Sequence, residues 1–420
     1  MSTSHAMRPP PGVILILAAT GIASLAGFLV LTVVPGLVGL ADYKTFGLFW
    51  SAMYLIVSAI SGIQQEVTRA TIVRPAEPGS GPNPVRRFSV FASLAVAVAI
   101  VVSAPLWVEA LFPDEGWSLV WPLAFACSSY VLVATLAGTL YGVRGWGVLA
   151  LMIAVDAILR IATVLILATI TTDSVVLAWA AAVPFLATIV LLWPVVRGHI
   201  VGSTTVDVSP SALTWNVARS VVASASSGVL VSGLPVVIGI AAVGEDPATV
   251  AALFVAITLT RAPVIVVVMS LHSYLIIRFR DFPALFWRTV VSLACVILGV
   301  GLVLGGAAWL FAPAVFEFLY SGEIILPGRF YAVLVVSSAL VGVLSVTAPA
   351  TLALGSHMVY SGGWLCAALA TAACFALPLD LLSGTTIAVL VGPLAGIAFH
   401  SIYLVAARVR HTRGVTGARG

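Results

Sequence analysis

The stretch VILILAATGIASLAGFLVLTVV, residues 13–34, contains no charged side chain and decides the class of fold. The hydrocarbon core of a bilayer is about 30 Å thick, and an α-helix of roughly 20 apolar residues crosses it. The stretch is longer than the apolar region of a secretory signal peptide and lacks a convincing small-residue cleavage site. We therefore expect a retained transmembrane helix here.

The same pattern recurs along the chain. Hydrophobic residues make up 61% of the 420 residues and charged residues 8%, with a mean hydropathy of +1.17, whereas a soluble domain carries about 25% charged residues. The alternating ten-residue segments of a β-barrel are absent. The sequence predicts an all-α, polytopic membrane protein with no soluble domain and about twelve spans. The predicted spans are residues 13–34, 46–64, 90–108, 119–141, 147–170, 175–196, 215–243, 250–276, 286–311, 331–354, 360–377 and 386–406.

Arginines alternate with acids in the connections between these spans. Every second connection carries arginines, from Arg8 at the beginning to Arg419 at the end, and the others carry acids such as Asp114. By the positive-inside rule, both termini are predicted to be cytoplasmic. The connection after the sixth span predicts an N-terminal six-helix lobe (1–200), a linker (201–212), a C-terminal six-helix lobe (213–408) and a basic tail (409–420).

Several classes of function lack the residues that they need. The four cysteines lie within apolar spans and the six histidines are scattered, so we expect no metal site and no cofactor. The one lysine, Lys44, follows no Gly-rich phosphate loop, which excludes a P-loop ATPase within this chain. The connections are too short for a soluble catalytic domain, so we do not expect an enzyme. The net charge of +4 reflects topology rather than nucleic-acid binding.

Two arginines within predicted spans are candidates for function, because a charge in the bilayer is costly unless it is paired or faces a wet cavity. Arg261 lies near the middle of the eighth span, with no acid three or four residues away, and Pro263 can kink the helix there. Arg219 lies inside the seventh span, near Asn216 and within a run of small residues. Such a run packs closely against a neighbouring helix or lines a polar cleft.

Two further arginines have an acid at helical spacing. Glu66 and Arg69 stand at i,i+3 near the end of the second span, and Asp156 and Arg160 stand at i,i+4 in the fifth. Such pairs can neutralise themselves within one helix. Both readings, structural pair and transport residue, remain open for Glu66 and Arg69, whereas for Asp156 and Arg160 we favour an intramembrane ion pair.

The six-plus-six arrangement, the segment GIQQEVTR (residues 62–69) and the segment TRAP (residues 260–263) resemble a known family. The family is the polysaccharide-biosynthesis branch of the multidrug/oligosaccharidyl-lipid/polysaccharide (MOP) exporter superfamily, which contains flippases for lipid-linked oligosaccharides. The resemblance implies two lobes around a central cleft lined by the first, second, seventh and eighth helices. The candidate substrate-binding residues are Arg261, Arg219, Arg69, Glu66, Asn216, Ser224, Ser227 and Thr260.

The resemblance implies a flippase in the cell inner membrane that moves a lipid-linked oligosaccharide or polysaccharide precursor to the outer leaflet for cell-envelope glycan biosynthesis. Its guanidinium groups would bind the phosphate of the carrier in a fork geometry. Expected partners are membrane lipids, the lipid-linked glycan, and a glycan polymerase or glycosyltransferases, with no nucleic acid.

Two alternatives remain from the sequence. An ion-coupled drug or metabolite antiporter of the same fold needs a carboxylate in the membrane without a permanent partner. Asp156 is the only mid-membrane acid, and its neighbour Arg160 makes it a poor proton carrier. The second alternative is a non-transporting scaffold for a glycan-synthesis complex.

Overall fold

The computed structural model describes residues 11–73, 84–201, 204–242, 244–261, 275, 279, 285–320, 324 and 326–417. The helices in these ranges are α1 (Pro11–Val38), α2 (Leu40–Ala70), α3 (Pro84–Ser103), α4 (Val108–Leu111), α5 (Trp117–Gly142), α6 (Trp146–Ala168), α7 (Ser174–Ile200), α8 (Pro210–Val231), α9 (Leu234–Ala241), α10 (Pro247–Arg261), α11 (Phe286–Leu319), α12 (Gly328–Ala353), α13 (His357–Cys374) and α14 (Leu381–Gly417). A 3-10 turn, Ala104–Leu106, follows α3.

The predicted all-α, multi-pass membrane fold is confirmed. Within the described ranges, nine helices are long and apolar enough to cross a bilayer, and the bent pair of α8 and α9 brings this number to ten. The shorter apolar helices α10 and α13 overlap the eighth and eleventh predicted spans, so each of the twelve predicted spans overlaps a described helix. Large apolar side chains on the surface of α3 and α11, such as Phe91 and Leu310, suit a surface that faces lipid.

Helix boundaries differ from the predicted ones in three places. Gly39, with φ +84°, is the single residue between α1 and α2, so the second helix begins at Leu40, before the predicted span at residue 46. A positive φ favours glycine, which allows this sharp break. α3 begins at Pro84, and Arg86 and Arg87 therefore lie in its first turn instead of in a connection. Proline fits the first turn because no intrahelical partner exists there for its missing N–H.

The third difference concerns the seventh predicted span. Apolar length predicts one helix, but α8 and α9 meet at an angle of 66°. Pro235 follows the break at Gly233, and its ring nitrogen cannot donate the hydrogen bond that would continue α8. Residues 262–274 of the eighth predicted span, including Pro263, lie outside the described residues. The kink at Pro263 stays a prediction.

Contacts divide the chain into two compact units. The first unit holds the residues up to Val34 and Ala59–Val222, and the second holds Pro35–Ser58 and the residues from Ala223 onward. Both α2 and α8 therefore contribute one half to each unit. The predicted lobe boundaries stay a prediction.

A small antiparallel sheet lies in the first unit. Strand β1 (Thr71–Val73) directly follows α2 and pairs with β2 (Thr204–Val206), with Ile72 opposite Thr205. The amide of Asp207 extends this pairing by donating to the carbonyl of Ala70 at 3.0 Å. The predicted linker is thus partly a strand, and it ties the end of α2 to the segment that leads into α8.

Candidate functional site

The predicted polar residues fall on four helices. In the first unit, Glu66 and Arg69 lie on α2, Asn216 and Arg219 lie on α8, and Asp156 and Arg160 lie on α6. In the second unit, Ser224 and Ser227 lie on α8, and Thr260 and Arg261 lie on α10.

Arg261 is a buried cation at the end of the described part of α10. Only 4% of its surface is exposed. Within the described ranges, its Nε atom has no hydrogen-bond partner and no carboxylate forms an ion pair with it. A buried charge is costly unless it is paired and hydrogen-bonded. Arg261 therefore has unused hydrogen-bonding capacity in the described part of the structure.

The rest of α10 explains why this arginine is buried. Asp246 caps the helix, because its carboxylate accepts from the amide of Thr249 at 2.9 Å and from the Thr249 hydroxyl at 3.0 Å. These hydrogen bonds, from the backbone first, lower the pKa of Asp246. Between this cap and Arg261, every residue from Val250 to Phe254 is buried. A helix that is apolar and buried all round is enclosed by protein.

Glu66 forms a hydrogen-bonded cluster with two other predicted residues. Arg69 binds it with two hydrogen bonds, from Nη2 to Oε1 at 2.6 Å and from Nε to Oε2 at 3.0 Å. Asn216 donates from Nδ2 to Oε1 at 3.0 Å, although it is 150 residues further along the chain. The Glu66 side chain is 7% exposed and that of Arg69 is 53% exposed. The cluster therefore has a buried acid and a cation that reaches out of the protein.

Gly62 lets the two helices of this cluster touch. A Cβ atom on Gly62 would lie 2.5 Å from the backbone carbon of Ser220 on α8, which is closer than atoms can approach. The two backbones are thus in direct contact one turn before Glu66, as small residues allow in membrane helices. The segment GIQQEVTR contains Gly62, but its sequence does not indicate this packing role.

Small residues of α8 also pack closely in the second unit. A Cβ atom on Gly228 would lie 2.8 Å from Cβ of Ser58, which belongs to the first half of α2. The Ser227 hydroxyl is 2.9 Å from the carbonyl oxygen of Ser224, and that of Thr260 is 2.7 Å from the carbonyl oxygen of Ala256. Both hydroxyl protons have acceptors within their own helices, which leaves the lone pairs of each hydroxyl oxygen free to accept a hydrogen bond from a ligand.

The side chain of Arg219, the second predicted arginine of the site, is exposed on α8.

Asp156 and Arg160 form the intramembrane ion pair. Nη2 of Arg160 lies 2.7 Å from Oδ1 and 2.8 Å from Oδ2 of Asp156. Nη1 donates to the carbonyl of Ala181 on α7, and the guanidinium carbon lies 3.8 Å from the ring centroid of Phe185. Arg160 thus has an acid, a carbonyl and an aromatic face as partners.

The surroundings of Arg160 depend on a proline in α7. Pro184 has no N–H group, so the carbonyl of Ala180, four residues earlier, has no intrahelical donor. The hydroxyl oxygen of Thr163 on α6 lies 2.9 Å from that carbonyl oxygen. The same hydroxyl lies 2.8 Å from the carbonyl oxygen of Leu159 in its own helix, so its one proton is shared between two acceptors. Thr163 and Arg160 thus place polar groups beside successive carbonyls of α7 at the proline, as side chains of neighbouring helices do in membrane proteins.

Sequence reasoning treated the histidines only as metal ligands and did not single out His400. This residue lies in α14 and is fully buried, with hydrogen-bond partners on two other helices. The sequence does contain a signal for this residue, because a histidine in the middle of an apolar span is unusual and needs a partner. No cluster of three metal-binding side chains occurs within the described ranges.

Two Mycobacterium tuberculosis proteins are similar in sequence to most of this chain. The Mycobacterium tuberculosis protein named "Uncharacterized protein Rv1510" is 30% identical over 363 residues, which cover 86% of this chain and 84% of the relative. The protein named "Uncharacterized protein Rv3630" from the same species is 28% identical over 390 residues, covering 92% of this chain and 90% of the relative. No protein-family model matches the chain.

Solved structures share the fold at low sequence identity. The lipid II flippase MurJ in an inward closed conformation has a TM-score of 0.67 at 11% identity, covering 93% of this chain and 87% of that chain. An inward-facing MATE family multidrug resistance transporter of the MOP superfamily has a TM-score of 0.64 at 14% identity, covering 94% and 96%. A MOP superfamily transporter from Pyrococcus furiosus has a TM-score of 0.58 at 16% identity, covering 94% and 95%. The chain therefore has the MOP transporter fold.

Proposed function

This chain belongs to the same protein family as Rv1510 of Mycobacterium tuberculosis, and from that premise and the MOP fold we propose that it is a transporter of lipid-linked glycans. It moves an oligosaccharide or polysaccharide precursor on its lipid carrier from the inner to the outer leaflet, for cell-envelope glycan biosynthesis. The chain performs no covalent chemistry in this proposal. The glycan polymerase or glycosyltransferases that supply or use the precursor are its proposed partners.

The observation that carries this proposal is the environment of Arg261. An arginine that is 4% exposed, and whose Nε has no acceptor in the part of the chain that the structure describes, is a costly feature in a membrane helix. A phosphate or diphosphate group would supply the missing acceptors, since the planar guanidinium binds phosphate with two parallel hydrogen bonds. The lipid carrier of a glycan precursor bears such a group beside its sugar.

Hydroxyl groups in the same unit as Arg261 suit the same ligand. Thr260 is adjacent to Arg261, and its oxygen can accept a hydrogen bond from a sugar hydroxyl while its proton stays on the carbonyl of Ala256. The Ser227 hydroxyl on α8 likewise keeps its proton on a carbonyl of its own helix, that of Ser224, and can accept a hydrogen bond from a sugar.

Arg219 is the second candidate for binding the anion and belongs to the first unit. Rocking of two halves of the molecule, as in other transporters with internal repeats, would then change the side on which the ligand is exposed.

Glu66 and Asp156 fit structural roles better than ion coupling. Both oxygens of Asp156 are hydrogen-bonded to Arg160, and both oxygens of Glu66 are hydrogen-bonded to Arg69. A coupling carboxylate in a proton-driven antiporter has to release such a partner in each cycle. We therefore rank export of a drug or metabolite by a coupled carboxylate below glycan-lipid transport.

Reconstitution in liposomes tests the proposal. Purified protein is placed in vesicles that contain a polyprenyl-diphosphate-linked oligosaccharide, and an impermeant glycosidase or lectin reports the fraction of glycan in the outer leaflet. We expect translocation that depends on the protein. Efflux of a cationic drug or metabolite without glycan translocation would support the antiporter, and the absence of both activities in folded protein would support the scaffold.

A further inference from the structure

His400 joins three helices of the second unit. Its ring is fully buried, at 0% exposed surface, in the middle of α14. Nδ1 lies 3.0 Å from the hydroxyl oxygen of Thr347 on α12, and Nε2 lies 3.3 Å from the carbonyl oxygen of Tyr360 on α13. Both ring nitrogens therefore have a partner on a different helix.

The glycines of α13 and α14 make the space for this ring. A Cβ atom on Gly363 would lie 2.0 Å from Nε2 of His400, so no other residue fits at this position without moving the ring. A Cβ atom on Gly396, one turn before His400, would lie 2.7 Å from the carbonyl oxygen of Gly363. The backbones of α13 and α14 are thus in direct contact beside the imidazole, which encloses it between helices.

The hydrogen bonds at this junction suit a ring that gains and loses a proton. The Tyr360 carbonyl can only accept, so Nε2 carries a hydrogen in both states. The Thr347 hydroxyl lies 3.0 Å from Nδ1 and also 3.0 Å from the carbonyl oxygen of Leu344, and it has one proton to donate. With a neutral ring, this proton goes to Nδ1. With a protonated ring, Nδ1–H donates to the hydroxyl oxygen, whose proton turns to Leu344.

The two protonation states therefore differ in charge and not in the number of satisfied donors. α11, whose Phe286 and Val290 pack in one cluster with Val346 of α12 and Leu404 of α14, carries one acid, Glu317, which lies 27 residues beyond Val290. The described parts of α9, α12, α13 and α14, and residues 223–231 of α8, contain no Asp or Glu. Their ionisable groups are Arg329, Tyr331, His357, Tyr360, Cys366, Cys374, Tyr403, Arg408, Arg410, His411 and Arg413. None of these groups is an anion at neutral pH, so an imidazolium in this packing is a buried cation with no acid beside it.

Proton binding and helix packing are linked by this arrangement. A conformation that admits water between α12, α13 and α14 stabilises the imidazolium, whereas the closed packing favours the neutral ring. By reciprocity, a proton on His400 favours the open conformation by the same factor. The structure described above then corresponds to the form without the proton.

We propose that His400 is a proton-binding site, and that proton uptake there opens the junction of α12, α13 and α14 during the transport cycle. The proposal rests on the proposed transport function, to which it adds the proton as the coupling ion. The step is a reversible proton transfer from water to Nδ1, with Nε2–H held on Tyr360.

Magnetic resonance of the full chain in lipid vesicles tests the site itself. With histidine ring nitrogens labelled with 15N, the spectra distinguish the neutral Nε2–H tautomer from the imidazolium between about pH 8 and about pH 5. The His400→Gln variant assigns the signal, and His199→Gln is the matched control, because His199 is an exposed histidine at the end of α7. We expect His400 to be the neutral Nε2–H tautomer at high pH and to become charged in acid.

Amide hydrogen exchange in the same samples tests the coupling. After correction for the intrinsic exchange rate, protection of the amides in α13 should fall by about tenfold or more in acid, within the usual range of coupling between sites. His400→Gln should remain protected at both ends of the pH range, and His199→Gln should follow the wild type.

Three results would overturn the proposal. They are a wild-type ring that stays neutral down to about pH 5, protonation without loss of protection, and a pH-dependent loss of protection that persists in His400→Gln. The first two are measured in the wild-type protein and do not depend on the folding of the variant. Neither measurement involves translocation, so these results leave glycan-lipid transport to be decided by the liposome experiment.

Discussion

Asn216 on α8 donates a hydrogen bond to Glu66 on α2 at 3.0 Å, and Glu66 is at the same time bound by both donors of Arg69. The carboxylate therefore links a contact within one helix to a contact between two helices. With the β1–β2 pairing and the approach at Gly62, this link fastens the end of α2 to the beginning of α8.

Removal of Asn216 and removal of Arg69 should both destabilise the protein, because each takes a hydrogen-bond donor away from the buried carboxylate of Glu66. Asn216→Ala leaves one bond of a buried carboxylate unmade and should lower the free energy of unfolding by about 1–3 kcal/mol. Arg69→Gln removes the cation and both of its hydrogen bonds from a carboxylate that is 7% exposed, and should cost about 1.5–3 kcal/mol. Chemical unfolding in detergent, with Glu66→Gln in a double-mutant cycle, measures the coupling. A coupling energy of zero between Glu66 and Asn216 would show that the hydrogen bond does not hold the helices together.

Asp156 and Arg160 should behave as a self-neutralising pair. Asp156→Asn strands the buried Arg160 guanidinium and Arg160→Met strands a carboxylate that is 21% exposed. Each change alone should cost about 3–5 kcal/mol of unfolding free energy, whereas replacing both with apolar residues should restore much of it. Arg160→Met should be the more harmful single change, because the guanidinium also contacts Ala181 and Phe185. Unfolding and translocation are measured on each variant. A double variant that folds normally but does not translocate would give the pair a role in transport.

Gly62 should not tolerate a side chain. Gly62→Val places atoms where the backbone of Ser220 lies, and should destabilise the protein by about 1–3 kcal/mol or more. Gly198→Ala is the control, since a Cβ atom at that helical position meets nothing within 4 Å. Thermal unfolding of both variants in one detergent makes the comparison. Equal stability of the two variants would mean that α2 and α8 are not in close contact at Gly62.

The predicted orientation can be checked by labelling single cysteines in a cysteine-free protein. A cysteine at Gly116, between α4 and α5, should react only with reagent added outside the cell. Cysteines at Ser80 and Thr416, two positions whose side chains lie outside the described residues, should react only from the cytoplasm. Labelling of Gly116 from the cytoplasm would reverse the assignment of the termini.

Apolar length and charge spacing predicted much of this molecule. The spans follow from the thickness of the bilayer, and the pair of Asp156 and Arg160 follows from helical periodicity. Neither signal reports which helices touch. The bond between Asn216 and Glu66, 150 residues apart, and the partners of His400 on α12 and α13 depend on tertiary packing, so the sequence alone could not reveal them.

Local backbone chemistry accounts for the remaining differences. The length of the apolar stretch predicts one continuous seventh span, yet Gly233 and Pro235 divide it into α8 and α9. The proline nitrogen cannot donate the backbone hydrogen bond that would continue the helix. The partner of the Ala180 carbonyl likewise depends on Pro184 and on the position of Thr163 on another helix. Proline marks the place of such a break in the sequence, but the group that satisfies it comes from the fold.

The central claim is that Arg261 binds the phosphate of a lipid-linked glycan, and translocation by Arg261 variants in liposomes tests it most directly. Removing an arginine that serves only the fold relieves a buried charge, so Arg261→Gln should then transport normally. For a phosphate-binding arginine, we predict that Arg261→Gln folds but translocates at least about tenfold more slowly, since a charge-assisted hydrogen bond contributes about 1.5–3 kcal/mol. Arg261→Lys should be intermediate, because a point charge cannot form the bidentate contact.

Arg288→Gln is the matched control for this measurement, since it removes an exposed arginine from α11 of the same unit and should translocate like the wild type. Each variant is compared at equal protein content in vesicles containing a polyprenyl-diphosphate-linked oligosaccharide. The account predicts the order wild type and Arg288→Gln, then Arg261→Lys, then Arg261→Gln. Wild-type translocation by a folded Arg261→Gln protein would contradict it and would remove Arg261 from the binding site.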